Sequence, residues 1–184
     1  MIDIDNTYEP KNFDILLTDV CGKDLREGIS ERLGVDHLSD SSKKFDDDIN
    51  GIMYGVNFRL FCATTIKINK KIKVVHFLLD TGSPVTYISE DVLNAFGVSA
   101  IRPNDKILVE INNIRTFVMM SPTISHFSEI NLIGTEFMVL SESLLTVDFS
   151  KRRFSLKLNF YQNQGVEEVE TKRMLAIQNN ISYI

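Results

Sequence analysis

The run Val74-Val75-His76-Phe77-Leu78-Leu79 ends directly at Asp80-Thr81-Gly82-Ser83, and this junction constrains the chain more than any other stretch. A short apolar run closed by turn residues reads as a buried strand. Its end delivers a carboxylate, Asp80, into a loop. Ahead of it, Phe61-Cys62-Ala63-Thr64-Thr65-Ile66-Lys67-Ile68 has the β-branched content of a strand, and Asn69-Lys70-Lys71 is a polar turn. Residues 61–79 therefore read as a hairpin whose second strand leads to Asp80.

Beyond the loop, Val85-Thr86-Tyr87-Ile88 reads as a short strand. Ser89 then caps a helix through Val92, Leu93 and Phe96 to a stop at Gly97. Glu90 and Asp91 suit the positive end of its dipole. The pattern then recurs. Residues 107–120 repeat the order of strand, turn at Asn112-Asn113, and strand, and Asn131-Leu132-Ile133-Gly134 leads into a helix from Thr135. Two similar halves, one ending Leu-Leu-Asp-Thr-Gly and the other Leu-Ile-Gly, indicate an internal pseudo-duplication.

On these two segments the chain resembles the retropepsin-like aspartic proteases, from about Phe58 to Phe160. The resemblance implies a mainly β, closed barrel-like acid protease fold with one or two short helices, acting as a homodimeric aspartic endopeptidase on polypeptide substrates. Asp80 of each subunit would meet its mate and activate a water, one carboxylate holding a proton and the other ionised. Thr81 would hydrogen-bond across the dimer, and Gly82 would admit a close backbone approach. Ser83 would donate to the carboxylate and favour its charged form. Ile133 and Gly134 would form the supporting loop. No metal or organic cofactor is implied.

The sequence departs from the family in three places. Only Val98 to Lys106 occupies the interval where active relatives carry a flap, without a glycine and with Pro103-Asn104 as the turn. Glu136 stands where Asp, Asn or Arg is commoner. Pro84-Val85-Thr86 lacks the acidic pair of viral enzymes. The short flap keeps a second reading open, a catalytically inactive scaffold for dimerisation or peptide binding.

Composition bounds the rest. With 184 residues, 43% of them hydrophobic, the chain can bury one core of about 100 residues plus extensions. No stretch approaches the ~20 apolar residues of a membrane span, and the start lacks the pattern of a signal peptide. Two thiols, Cys21 and Cys62, read as reduced, which favours the cytoplasm. Residues 1–50 hold 13 acids against six bases, a net of −7 within a total of −5. That acidic segment argues against nucleic-acid binding.

The chain divides by sequence into an acidic extension (1–50), the protease-like domain (51–160) and a tail (161–184) with a helix expected over 166–178. In the extension, Leu25, Ile29 and Leu33 form one helical stripe ended by Gly34, and Ser39 to Asp48 reads as a solvated linker. His37, His76 and His126 are scattered without metal spacing and read as packed or surface histidines. Residues 144–158 read as a final hairpin with a basic turn at Lys151-Arg152-Arg153. In the family such a hairpin builds the dimer sheet, so its apolar alternation is expected at an interface.

Overall fold

A computed structural model describes residues 17, 19–42, 48–99, 102 and 105–159. The helix expected over 166–178, the turn Pro103-Asn104 and the linker residues 43–47 lie outside the described residues. The protein is mainly β, as expected. Two short helices, α1 (Gly22–Arg26) and α2 (Gly28–Leu33), precede β1 (Asp48–Tyr54), β2 (Arg59–Ile68) and β3 (Lys71–Leu79). Then come β4 (Tyr87–Ile88), α3 (Glu90–Phe96), β5 (Ile107–Ile111) and β6 (Ile114–Met120). The series closes with β7 (Leu132–Ile133), α4 (Thr135–Leu140), β8 (Leu144–Asp148) and β9 (Arg153–Lys157).

Among the described residues nine strands join one mixed sheet in the order β3-β7-β4-β6-β5-β2-β1-β9-β8, and a further β2–β3 pairing closes part of it into a ring. β2 makes this possible by its length. Its first half pairs with β1 and its second half with β5, while β3 runs along its other edge. Turn chemistry sets the hairpin registers. Asn112 and Asn113 both take positive φ between β5 and β6, the backbone that a two-residue turn of matching twist requires. Asn69 does the same between β2 and β3.

The pseudo-duplication is visible as an exchange of strands. The first half (β2, β3, β4, α3) lends β4 to the second half, where it lies parallel to β6. The second half (β5, β6, β7, α4) lends β7 to the first, parallel to β3. The two lent strands also meet each other, Tyr87 opposite Leu132.

Every residue of β3 from Val75 to Leu79 is buried, because both its faces are covered. Val75, Phe77 and Leu79 enter the ring's interior with Ile66, Ile88, Ile111 and Phe137. Leu78 enters a second cluster outside the ring with Phe61, Leu132, Phe127 and the helical residues Leu25 and Ile29. The narrow stripe on the helices thus finds its partner in the outer face of the sheet. Where one helix was expected there are two, broken at Glu27, whose backbone angles are non-helical. Gly28, a weak helix former, opens α2 where an added Cβ would stand 2.6 Å from the Tyr54 hydroxyl.

Two other expectations change. Ser39 to Ser41, the start of the expected linker, does not run free but lies along the start of β3, with Val74 N–H donating to Ser39 O and Ser41 N–H to Ile72 O. The terminal hairpin forms as expected, but β9 pairs with β1 and places Phe154 and Leu156 in the chain's own core. Among the described residues β8 is the outermost strand at that end of the sheet, with Leu144 exposed.

Gly51 is the position where β1 tolerates this packing. A Cβ there would come within 2.2 Å of the Phe154 ring and 2.5 Å of the Phe61 carbonyl oxygen. Gly51→Ala is expected to destabilise the fold by about 3 kcal/mol. Equilibrium urea unfolding measures it, and a loss under about 0.5 kcal/mol would contradict the packing described.

Candidate active site

Asp80 leaves the sheet at the C-terminal end of β3, beside the end of β7. Leu78 N–H donates to Asn131 O (2.8 Å) and Asp80 N–H to Ile133 O (3.0 Å). With Leu79 opposite Ile133, Asp80 and Gly134 emerge side by side. The next residues turn back at once. Ser83 N–H donates to Asp80 O at 3.3 Å, and Gly82 N–H donates to the carboxylate Oδ1 at 2.9 Å. A side chain bonding the amide two residues on is a local turn lock typical of aspartate.

The loop presents its polar groups unevenly. Asp80 is half-buried, Thr81 and Gly82 are exposed, and Ser83 is buried. The Ser83 hydroxyl donates to Val85 O at 2.8 Å. This corrects the expectation that it donates to the Asp80 carboxylate; the serine instead braces the loop's return, while Gly82 supplies the carboxylate's donor. Ser83 O accepts from Thr135 N–H (2.8 Å) and Pro84 O from Glu136 N–H (3.0 Å). The loop carbonyls thereby satisfy amides in the first turn of α4 that have no partner within the helix. Glu136 enters through its backbone.

Gly134 admits this arrangement. A Cβ there would lie 2.3 Å from Val85 O and 2.8 Å from Ser83 O, both main-chain atoms. Its N–H donates to Thr86 Oγ1 at 3.1 Å. The expected residues Asp80, Thr81, Gly82, Ser83, Ile133 and Gly134 are all brought to one place.

Two further residues hold the site, and sequence reasoning placed them in its motifs without giving either this role. Asn131 is fully buried. Its Oδ1 accepts from Ser89 N–H at 2.8 Å and its Nδ2 donates to His76 O at 3.0 Å. One side chain thus ties β3, the start of α3 and β7 together. Thr86, also buried, joins the entrance of β4 to Gly134. A polar residue heading an apolar Leu-Ile-Gly run was the available signal for Asn131. Thr86 gave none, since threonine is ordinary in strands.

The position in register with Asp80 in the second half is Gly134, so one chain brings one Asp-Thr-Gly carboxylate to this place. Between α3 and β5, Arg102 and Asp105 are doubly bonded, Asp105 N–H donating to Arg102 O and Arg102 N–H to the Asp105 carboxylate. A cavity of about 340 Å³ lies elsewhere, lined by residues that include Asp19, Cys21, Asp24, His126 and Glu129.

Asn131→Ala should cost about 2–4 kcal/mol, because it strands two buried main-chain groups. Thr86→Val, which removes one acceptor, should cost about 1–2 kcal/mol. Urea unfolding of the two variants checks both the size and the order of the effects.

No protein-family model matches this sequence, and no curated protein matches it. Among solved structures, the chain is similar to the crystal structure of a retropepsin-like aspartic protease from Rickettsia conorii, with a TM-score of 0.42 and 13% identity, over 59% of this chain and 89% of that one.

Proposed function

We propose that this chain is a retropepsin-like aspartic endopeptidase that works as a homodimer. The observation that carries the reading is the Asp80 loop itself, a half-buried carboxylate on an exposed turn, with the matching place in the second half occupied by Gly134. Hydrolysis of a peptide bond needs an acid and a base together. A second copy, related by a two-fold axis through the exposed Thr81 and Gly82, supplies the missing carboxylate.

In that dimer one Asp80 is ionised and its mate protonated. The ionised carboxylate takes a proton from a water whose oxygen attacks the scissile carbonyl carbon, and the mate gives its proton to the carbonyl oxygen. Collapse of the tetrahedral intermediate restores the carbonyl, breaks the C–N bond and passes a proton to the departing nitrogen. Gly82 N–H holds Asp80 Oδ1, and the bond from Asp80 N–H to Ile133 O fixes the backbone behind it, so the carboxylate needs little reorganisation on binding.

The substrate class follows from the short interval before β5. Without a long hairpin to close over a peptide, an open cleft favours extended segments of unfolded proteins, which offer contacts along the strand. No helix among the described residues is long and apolar enough to cross a membrane. The thiols Cys21 and Cys62 are both free, and with them a reducing compartment such as the cytoplasm is the setting proposed.

The same short interval favours one other reading, a dimeric scaffold that binds peptides without cutting them. Incubating the protein and its Asp80→Asn variant with an unfolded protein at pH 3–7, and identifying fragments by mass spectrometry, separates the two. Cleavage by the wild type, reduced at least about 10²-fold in the variant, is the expected result. A protein that sediments as a dimer and yields no fragments would select the scaffold.

A further inference from the structure

His76 sits on β3 four residues before Asp80, fully buried on the face that the helices cover. Its Nδ1 lies 3.0 Å from the carbonyl oxygen of Leu25 in α1. A carbonyl only accepts, so Nδ1 carries the proton and Nε2 is bare. That Nε2 is buried without a hydrogen bond. Beside it, the ring of His37 stands 5.0 Å away, centroid to centroid.

His37 is engaged in the opposite sense. Its Nδ1 accepts from the backbone N–H of His76 at 3.0 Å. An amide can only donate, so His37 Nδ1 is unprotonated and its Nε2 holds the proton. His37 N–H donates to Ser30 Oγ (3.2 Å), and Ser30 Oγ–H donates to Leu25 O (2.8 Å), the acceptor that His76 Nδ1–H also uses. Four hydrogen bonds therefore form a closed ring through Leu25, Ser30, His37 and His76, joining α1, α2, the segment after α2, and β3.

We propose that His37 and His76 form an acid-sensitive latch that holds α1 and α2 on the sheet and releases them as the pH falls below about 6.5, while the strand ring stays folded. The chemistry is directional. The nitrogen of His37 that can take a proton is the one accepting the bond, so protonation sets donor against donor and strands the His76 amide in a buried site. A charge on His76 would sit without water, and charges on both rings would repel at 5.0 Å.

The surroundings set the balance. Arg26, at the end of α1, opposes a positive charge on His37 and is itself ion-paired with Asp91 of α3. Asp36 and the carbonyls of Leu25 and Val35 favour a charge on His76. From β2 the residue in register with His76 is Ala63, and from β7 the neighbour is Asn131, both uncharged. Burial outweighs the favourable groups. It lowers His76 and takes His37 down to about 3 from an ordinary 6.5. A histidine whose folded value is depressed contributes stability that is complete above its unfolded value, near 6.5, and is lost as the pH falls through 6.5 towards the folded value. Each such histidine shifts the opening equilibrium about tenfold per pH unit. Release would uncover the apolar sheet face of Phe61, Leu78 and Leu132.

Hydrogen exchange followed by mass spectrometry, expressed as protection relative to the intrinsic rate at each pH, tests this on the intact chain between pH 7.5 and 4.5. Protection of residues 22–34 should fall about 10- to 100-fold per pH unit below 6.5, while β2 and β3 keep theirs. His37→Asn and His76→Asn preserve one acceptor and one donor without titrating, and each should flatten that slope. The latch is overturned if residues 22–34 lose no more protection than β2 and β3, a comparison that needs only the wild type. It is also overturned if the folded variants keep the wild-type slope. The ring uses neither Asp80 nor its loop, so the Asp80→Asn protein must give the wild-type slope, and loss of proteolysis and failure of the latch are read separately.

Discussion

Two main-chain hydrogen bonds between β3 and β7, from Leu78 to Asn131 and from Asp80 to Ile133, are the contact on which the rest of the molecule depends. They join a strand of the first half to a strand of the second, more than fifty residues apart in sequence. Because the pairing is parallel, both strands point the same way and end together, which is why Asp80 and Gly134 emerge at one point. A parallel pair exposes no face to water without penalty. The ring's interior covers one side of β3, and α1 and α2 cover the other.

That double cover explains the order of dependence among the parts. The helices do not decorate a finished barrel; they complete the burial of Leu78 and Leu132, the residues two positions ahead of Asp80 and Gly134. Asn131 works within this layer, filling its hydrogen bonds with one group from β3 and one from the cap of α3. The Ser83 hydroxyl and the Thr86 side chain then fold the loop back onto α4. The carboxylate's position is thus inherited from strand pairing and from local turns.

Much of this was legible from the sequence because local chemistry and global fold agree. The uninterrupted run ending at Leu79 marked a strand with two covered faces, Asn112-Asn113 marked a tight turn, and Ser89 with Gly97 bracketed α3, the latter at φ +74°. What resisted reading was non-local. The Ser83 hydroxyl has several acceptors within reach, and only the path of the loop selects Val85. Nothing in the spacing of His37 and His76 announces a shared ring of hydrogen bonds, since the chain must pass through β1 and β2 before they meet. Ser39 to Ser41 looks like part of a linker by composition, and it pairs through backbone groups that composition does not report.

Gly134 also bears on how such a chain can change over generations. It occupies the place where the second half could hold an acid of its own, and the carbonyls of Val85 and Ser83 already fill the volume a Cβ would need. No point substitution at 134 can furnish a second carboxylate without dismantling the junction that orients the first. A single polypeptide carrying two acids is therefore reachable from this fold by duplicating and joining the whole unit, and closed to stepwise mutation of its second half.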